Sequence, residues 1–233
     1  MEVDSIIEVV RCFENSNIIH VDGVINPTND IEIIELELIY ADLETVSKRR
    51  ERLKKQLKAD KSLIKEDLVL EKIEKALNEG KSARSLELTE EEKDIIKSLS
   101  LLTLKPLMYV ANVDEETIQN PESNENFKKV KQYAESQNAK VIPICVKLEE
   151  EISSIESEEE RKEFLEMMGL DKSGLDKLII ASYDILGLMS YLTVRRNRSK
   201  SMDYKKRDKS TKSGIKDTFR YRKRVYKSGN CII

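Results

Sequence analysis

The chain has 233 residues, 36% of them charged and 5% aromatic, with no Trp, a profile that suits a helix-rich intracellular protein better than a β-sandwich. No apolar run reaches the ~18 residues of a membrane span, the acidic start Met1-Glu2-Val3-Asp4 lacks a signal layout, and Cys12, Cys145 and Cys231 have no metal-type spacing, so a reduced, cytoplasmic, membrane-free setting is expected. The single histidine, His20, argues against a His-built zinc site or a Ser-His-Asp triad, and the net charge of −3 conceals a split, with 15 Lys and Arg against 3 Asp and Glu over residues 195–233 (+12) and −15 before them.

Residues 5–13 (SIIEVVRCF) are rich in Ile and Val between polar flanks, which predicts a largely buried strand. Asn26-Pro27-Thr28-Asn29-Asp30 combines a turn pair, a capping residue and a first-turn acid, a helix start. Along the helix that follows, Ile39, Leu43, Val46, Leu53 and Leu57 fall on alternating four- and three-residue steps, with Arg50 in one slot. That is a coiled-coil stripe. The chain is expected to turn near Ala59-Asp60. Leu70, Ile73 and Leu77 then stripe a return helix ending at Asn78-Glu79-Gly80. Thr89-Glu90-Glu91-Glu92 reads as a capping box for a helix carrying Ile95, Ile96, Leu99 and Leu102. After Lys105-Pro106 the period changes: Leu107-Met108-Tyr109-Val110-Ala111 is a nearly continuous apolar run, as in a strand of a parallel sheet. A helix around Phe127, Val130, Tyr133 and Ala134 follows, then a second buried strand over 141–146 and helices over 158–168 and 175–191. Strand, helix, strand is a parallel βαβ unit. The fold class is therefore α/β with an inserted helical hairpin.

Ligands of open α/β sheets bind beyond the carboxyl ends of the strands. That puts weight on Asn112-Val113-Asp114-Glu115 after one strand and on Cys145-Val146-Lys147 at the end of the next. An Asn in this place offers a purine edge both a donor and an acceptor, although it is also a common turn former. The words around these residues carry a resemblance. VVRCFENSNIIHVDGVINPTNDIEII (9–34), KPLMYVANVDEE (105–116) and SGLDKLIIASYDILGLMSYLT (173–193) resemble, in the same order, stretches of the YchF or Obg-like ATPase family, ribosome-binding P-loop NTPases of the translation-factor class. The resemblance implies a partial P-loop NTPase domain, a Rossmann-like parallel sheet formed by 1–25 and 105–194. Residues 26–104 would be an inserted α-helical coiled-coil hairpin and 195–233 a basic tail. It also implies an adenine nucleotide as ligand, magnesium in the intact family, and the ribosome as partner.

GTPases of this class read guanine with Asn-Lys-x-Asp, whose Asp takes two donors on the guanine edge. Here Glu115 stands in the Asp place; one methylene longer, it would crowd or miss that pair, which favours ATP over GTP. By the same resemblance Asn112 would bond adenine and Val113 would pack on one ring face. Phe13, in an RCFEN-like segment, would cover the other face, or else pack as ordinary core. Cys145, Val146 and Lys147 align with a Ser-Ala-Lys-like base loop and would contact the base through their backbone.

Hydrolysis in this class needs Gly-x-x-x-x-Gly-Lys-Ser/Thr after the first strand, for phosphates and Mg²⁺. Gly80-Lys81-Ser82 has Lys75 where the first glycine belongs and ends a hairpin helix, and Asp171-x-x-Gly174 follows no strand; no magnesium ligand is identified. The family's phosphate loop is expected to lie before Met1, making the chain an internal fragment that binds nucleotide without turning ATP over. The alternative is a helical protein- or ribosome-interaction module that binds no nucleotide. In the tail, a one-base shift of codons for Met202-Asp203-Tyr204-Lys205-Lys206-Arg207 yields W-T-I-K-K-G, a word of the TGS-type domain that follows in the family. The same shift over 216–231 gives a second family-like stretch. A frameshift near Val194 is inferred, leaving a disordered tail whose charge could hold RNA non-specifically.

Overall fold

Three strands form the sheet: β1 (Ile6–Arg11), β2 (Leu107–Asn112) and β3 (Lys140–Ile144), in the order β1-β2-β3 and parallel throughout. The computed structural model describes residues 3–14, 25–57, 60–195 and 198–205, with side chains through residue 188. Residues 15–24 of the 9–34 stretch, residue 59 of the expected turn and the tail from 206 lie outside the described residues. β2 is central, and its unbroken apolar run is explained by burial on both faces. β1 departs from expectation. Val10 and Cys12 enter the core, but Ile7 and Val9 are 40% and 63% exposed, so β1 alternates as an edge strand instead of being largely buried.

The first helix, α1 (Pro27–Gln56), belongs to two cores. Near its start Ile31 joins Val10, Tyr109, Val113, Phe127 and Val130 in the sheet core. Further along, Ile39, Val46 and Leu53 enter a second core with Leu70, Ile73 and Leu77 of α2 (Ile64–Asn78). Between the helices Asp60 caps a short 3-10 turn, its carboxylate accepting from Ser62 N at 2.8 Å. The stripe read as a two-helix coiled coil is one wall of a fuller core, because Ala83, Leu88, Ile96 and Leu101 close the remaining side. Arg50, the polar slot in the stripe, reaches Asp67, Glu71 and Glu74 on α2. Its aliphatic stem can lie along the seam while the head pairs with carboxylates.

α3 (Glu90–Ile96) opens with the expected capping box: Thr89 Oγ1 accepts from Glu92 N, and Glu92 Oε2 accepts from Thr89 N at 2.7 Å. The helix is shorter than its pattern suggests. Ser100 adopts a left-handed φ of 49°, which a continuing helix cannot accommodate, so Leu99 and Leu102 sit on separate 3-10 turns. Asp42 of α1, 3% exposed, ties this region together. Its carboxylate accepts from Leu102 N, Thr103 N and Thr103 Oγ1 at 2.8, 2.7 and 2.6 Å, while Thr103 Oγ1 accepts from Ala83 N. A buried carboxyl group is tolerated where its oxygens are hydrogen-bonded in this way.

β2 and β3 are joined by α4 (Glu125–Ser136), capped by Asn124. The chain then forms α5 (Val146–Ser154) and α6 (Glu158–Met167). α5 is absent from the sequence reading, which ran the strand through Val146. α7 (Gly174–Ile185) also ends earlier than expected. The fold divides after Leu175. In the second part, taken by itself, the rest of α7 leads to an antiparallel hairpin of β4 (Leu188–Arg195) and β5 (Arg198–Lys205), with Leu188 opposite Lys205. Residues 186–191 are thus turn and strand instead of helix. Residues 198–205 of the tail form a strand where disorder was expected. Among the described residues no helix is long and apolar enough to cross a membrane.

Candidate base-recognition site

Parallel register brings the three strand ends side by side: Arg11 pairs with Asn112, and Asn112 with Ile144. The segments leaving these ends therefore begin together at the carboxyl edge of the sheet, where a ligand of an open α/β sheet is received. Cys12 N donates to Asn112 O at 2.8 Å, and Val113 N to Ile144 O at 2.9 Å, so pairing continues one residue past each strand. Asn124 locks the first exit, its Nδ2 donating to Cys12 O at 2.9 Å and its Oδ1 accepting from Phe127 N. Burial pushes the Cys12 thiol up to about 12, which leaves it an inert packing group.

Asn112 is oriented by the protein. Its Oδ1 accepts from Val146 N at 3.2 Å, at the start of α5, leaving Nδ2 as the group it can offer a base. Nδ2 can donate to N7, an acceptor that adenine and guanine share. Through that donor Asn112 can read a purine, and N7 alone does not separate the two bases. The expectation for Val113 is corrected. Its side chain is 1% exposed and packs in the sheet core, so it has no free face for a ring.

Phe13 is half-buried, two residues beyond β1, with the Arg11 guanidinium 4.8 Å from its ring centroid. Arg11 Nε also donates to Phe13 O at 3.1 Å. This cation–π contact occupies one ring face, so only the other can meet a base. Glu115 points to the neighbouring loop, where its Oε1 lies 2.6 Å from Lys147 Nζ. The contact raises the Lys147 pKa through hydrogen bonding and charge attraction. Cys145 is the buried N-cap of α5, its thiol raised by burial, while Val146 is 49% exposed. Six of the seven expected residues, Asn112, Val113, Glu115, Cys145, Val146 and Lys147, thus fall on two adjoining exits, and Phe13 leaves the third.

Three supporting groups were not anticipated. Asp114 Oδ1 accepts from Thr117 N and Thr117 Oγ1 at 2.8 and 2.6 Å, closing a turn that fixes where Glu115 starts. Glu149 in α5 accepts from Gly174 N and Leu175 N at 2.6 and 3.1 Å. Gly174 itself leaves no room for a side chain, since a Cβ would lie 2.9 Å from both Ile144 Cγ2 and Glu149 Oε1. The Asp-x-x-Thr spacing was a readable turn signal; the Glu149 contact had none. A shallow hollow of about 330 Å³ lined by Ile155, Phe164 and Met167 lies elsewhere and includes none of these groups. Gly80-Lys81-Ser82 follows a helix and not a strand, with Gly80 at φ +73° and Ser82 buried.

The parallel sheet with its intervening helices is a P-loop NTPase fold. The match to solved structures agrees: the YchF GTPase of Schizosaccharomyces pombe superposes with a TM-score of 0.78 at 32% identity, covering 92% of this chain and 59% of that one. No family model matches the chain. Among curated proteins it is 47% identical over 206 residues to the ribosome-binding ATPase YchF of Bacillus subtilis, covering 88% of this chain and 56% of the relative. It is 43% identical over 193 residues to that of Escherichia coli O157:H7 and 38% over 208 residues to that of Mycoplasma genitalium. Over the matched stretch the chain belongs to the YchF family. It spans about half the length of the curated relatives it matches.

Proposed function

We propose that this chain provides the base-recognising part of a cytoplasmic, ribosome-associated, adenine-nucleotide-binding protein. The observation that supports the reading is the Asn112–Val146 bond, which holds the Asn112 amide at the sheet edge where three segments begin together, with Nδ2 proposed as the donor to a purine. Names of the relatives add ribosome binding and ATPase activity as properties of those proteins, and the ribosome and ATP are proposed here on that basis. ATP is preferred over GTP in this reading because Glu115, occupied by Lys147, is not offered to the guanine edge.

Hydrolysis is not proposed for these 233 residues alone. Phosphate contacts supply the positioning that turnover requires, and the sequence contains no Gly-x-x-x-x-Gly-Lys-Ser/Thr. Among the described residues no group of three or more His, Cys, Asp and Glu is placed to hold a metal. Ligand-observed NMR titration with ATP, ADP and GTP, which registers millimolar affinities, tests the reading. Adenine nucleotides should bind more tightly than GTP, and equal or reversed affinity would refute the base assignment. A ribosome-binding helical module is the second reading, favoured by the independent core of the hairpin. Ribosome co-sedimentation of the full chain without nucleotide, unaffected by loss of residues 206–233, would support it over tail-mediated RNA binding.

A further inference from the structure

Glu115 and Lys147 stand on different exits of the sheet, and both are placed by backbone. The Asp114–Thr117 turn sets Glu115, and Lys147 follows Val146, whose amide is held by Asn112. Their 2.6 Å contact therefore links the turn after β2 to the first turn of α5. Away from N7, guanine presents two donors, N1–H and the 2-amino group, whereas adenine presents an acceptor at N1. A free carboxylate can accept both guanine donors; one held by an ammonium group must first give up that bond.

On the reading that the base sits at this sheet edge, we propose that Lys147 is a specificity-determining residue. It engages Glu115 Oε1 in an ion pair between the turn after β2 and the start of α5 and so competes with guanine for the acceptor it requires. Discrimination then lies in the pairing and not in the extra methylene of Glu115. Adenine asks nothing of that carboxylate and is indifferent to whether it is free.

The test is ligand-observed NMR titration of ATP and GTP into the full chain and three variants. In Lys147→Met the freed carboxylate should raise GTP affinity relative to ATP by about 3–5-fold, the scale of an exposed ion pair. Lys147→Arg should keep the original ratio. The double variant Lys147→Met with Glu115→Gln should lose the gain, since the charged acceptor is gone. An unchanged ratio in Lys147→Met while ATP still binds overturns the inference and leaves the base site standing. A gain that persists in the double variant assigns the effect to lost bulk and also overturns it. Failure of the unsubstituted chain to bind any purine nucleotide overturns the base site and the inference together.

Discussion

Asn112 divides one amide between two tasks, with oxygen turned inward to Val146 N and nitrogen available to a base. The variant Asn112→Asp separates them, because a carboxylate still accepts from Val146 N but cannot donate. Losing one base-facing hydrogen bond should weaken ATP and GTP alike by about tenfold, or ~1.4 kcal/mol, with the melting temperature unchanged. Unequal losses would make Asn112 itself a discriminator. Glu8 of β1 illustrates a residue that works against stability. Desolvation by burial raises its pKa from 4.5 to about 7; Glu35 and Asp30 add to the rise, and Arg84 opposes it. The folded form thus binds the proton more tightly than the unfolded form, so stability falls as pH climbs from about 4.5 to 7 and levels off above. Glu8→Gln should remove that slope, raising the melting temperature at pH 8 and leaving it nearly unchanged at pH 4.5. Parallel melting curves for the two proteins across this range would clear Glu8 of the effect.

At the scale of elements, the junctions proved harder to read than the elements. β2 was legible because burial on both faces demands an unbroken apolar run, and α3 because Thr89 and Glu92 satisfy each other's backbone. The β3–α5 junction was hidden, since Cys145 and Val146 continue the apolar run of β3 without a polar break, although Leu148 and Ile152 already stand at helical spacing. The inward turn of Val113 was available in principle. Leu107, Tyr109, Ala111 and Val113 alternate with period two and share the sheet core, so the strand's face pattern outlasts the strand. The Glu115–Lys147 bridge could not have been read, because a turn and a helix start distant in sequence meet only through the register of β2 and β3. Gly174 belongs to the same class of fact, as its lack of a side chain matters only against β3 and α5. Gly174→Ala places a Cβ 2.9 Å from Ile144 Cγ2 and Glu149 Oε1, and the forced shift should cost about 1–3 kcal/mol. Denaturant titration reads that loss, and an unchanged midpoint would mean that α7 moves aside freely.

For residues up to Leu175, α1 threads two cores that otherwise have separate memberships, the sheet core through Ile31 and the hairpin core through Ile39, Val46 and Leu53. Between them the helix turns apolar groups to solvent, with Ile33, Leu36 and Tyr40 at 45%, 43% and 66% exposure, so little packing couples one core to the other there. A Tyr133–Glu35 hydrogen bond of 2.8 Å is a polar tie on the sheet side of this bridge. Cooperative unfolding of the whole needs apolar contact spanning the join, and separate cores opening independently is the expectation for a join made largely of one helix. Asp42 supplies the means to test it, since its carboxylate serves only the hairpin core, at Leu102 and Thr103. Asp42→Ala strands two backbone donors and a hydroxyl, at a cost of about 2–4 kcal/mol. Native-state hydrogen exchange should then accelerate by about a hundredfold or more across α2 and the Leu102–Thr103 amides, while the amides of β2 keep their protection. An equal acceleration in β2 would mean that the two cores open as a single unit, with α1 transmitting the full loss from one to the other.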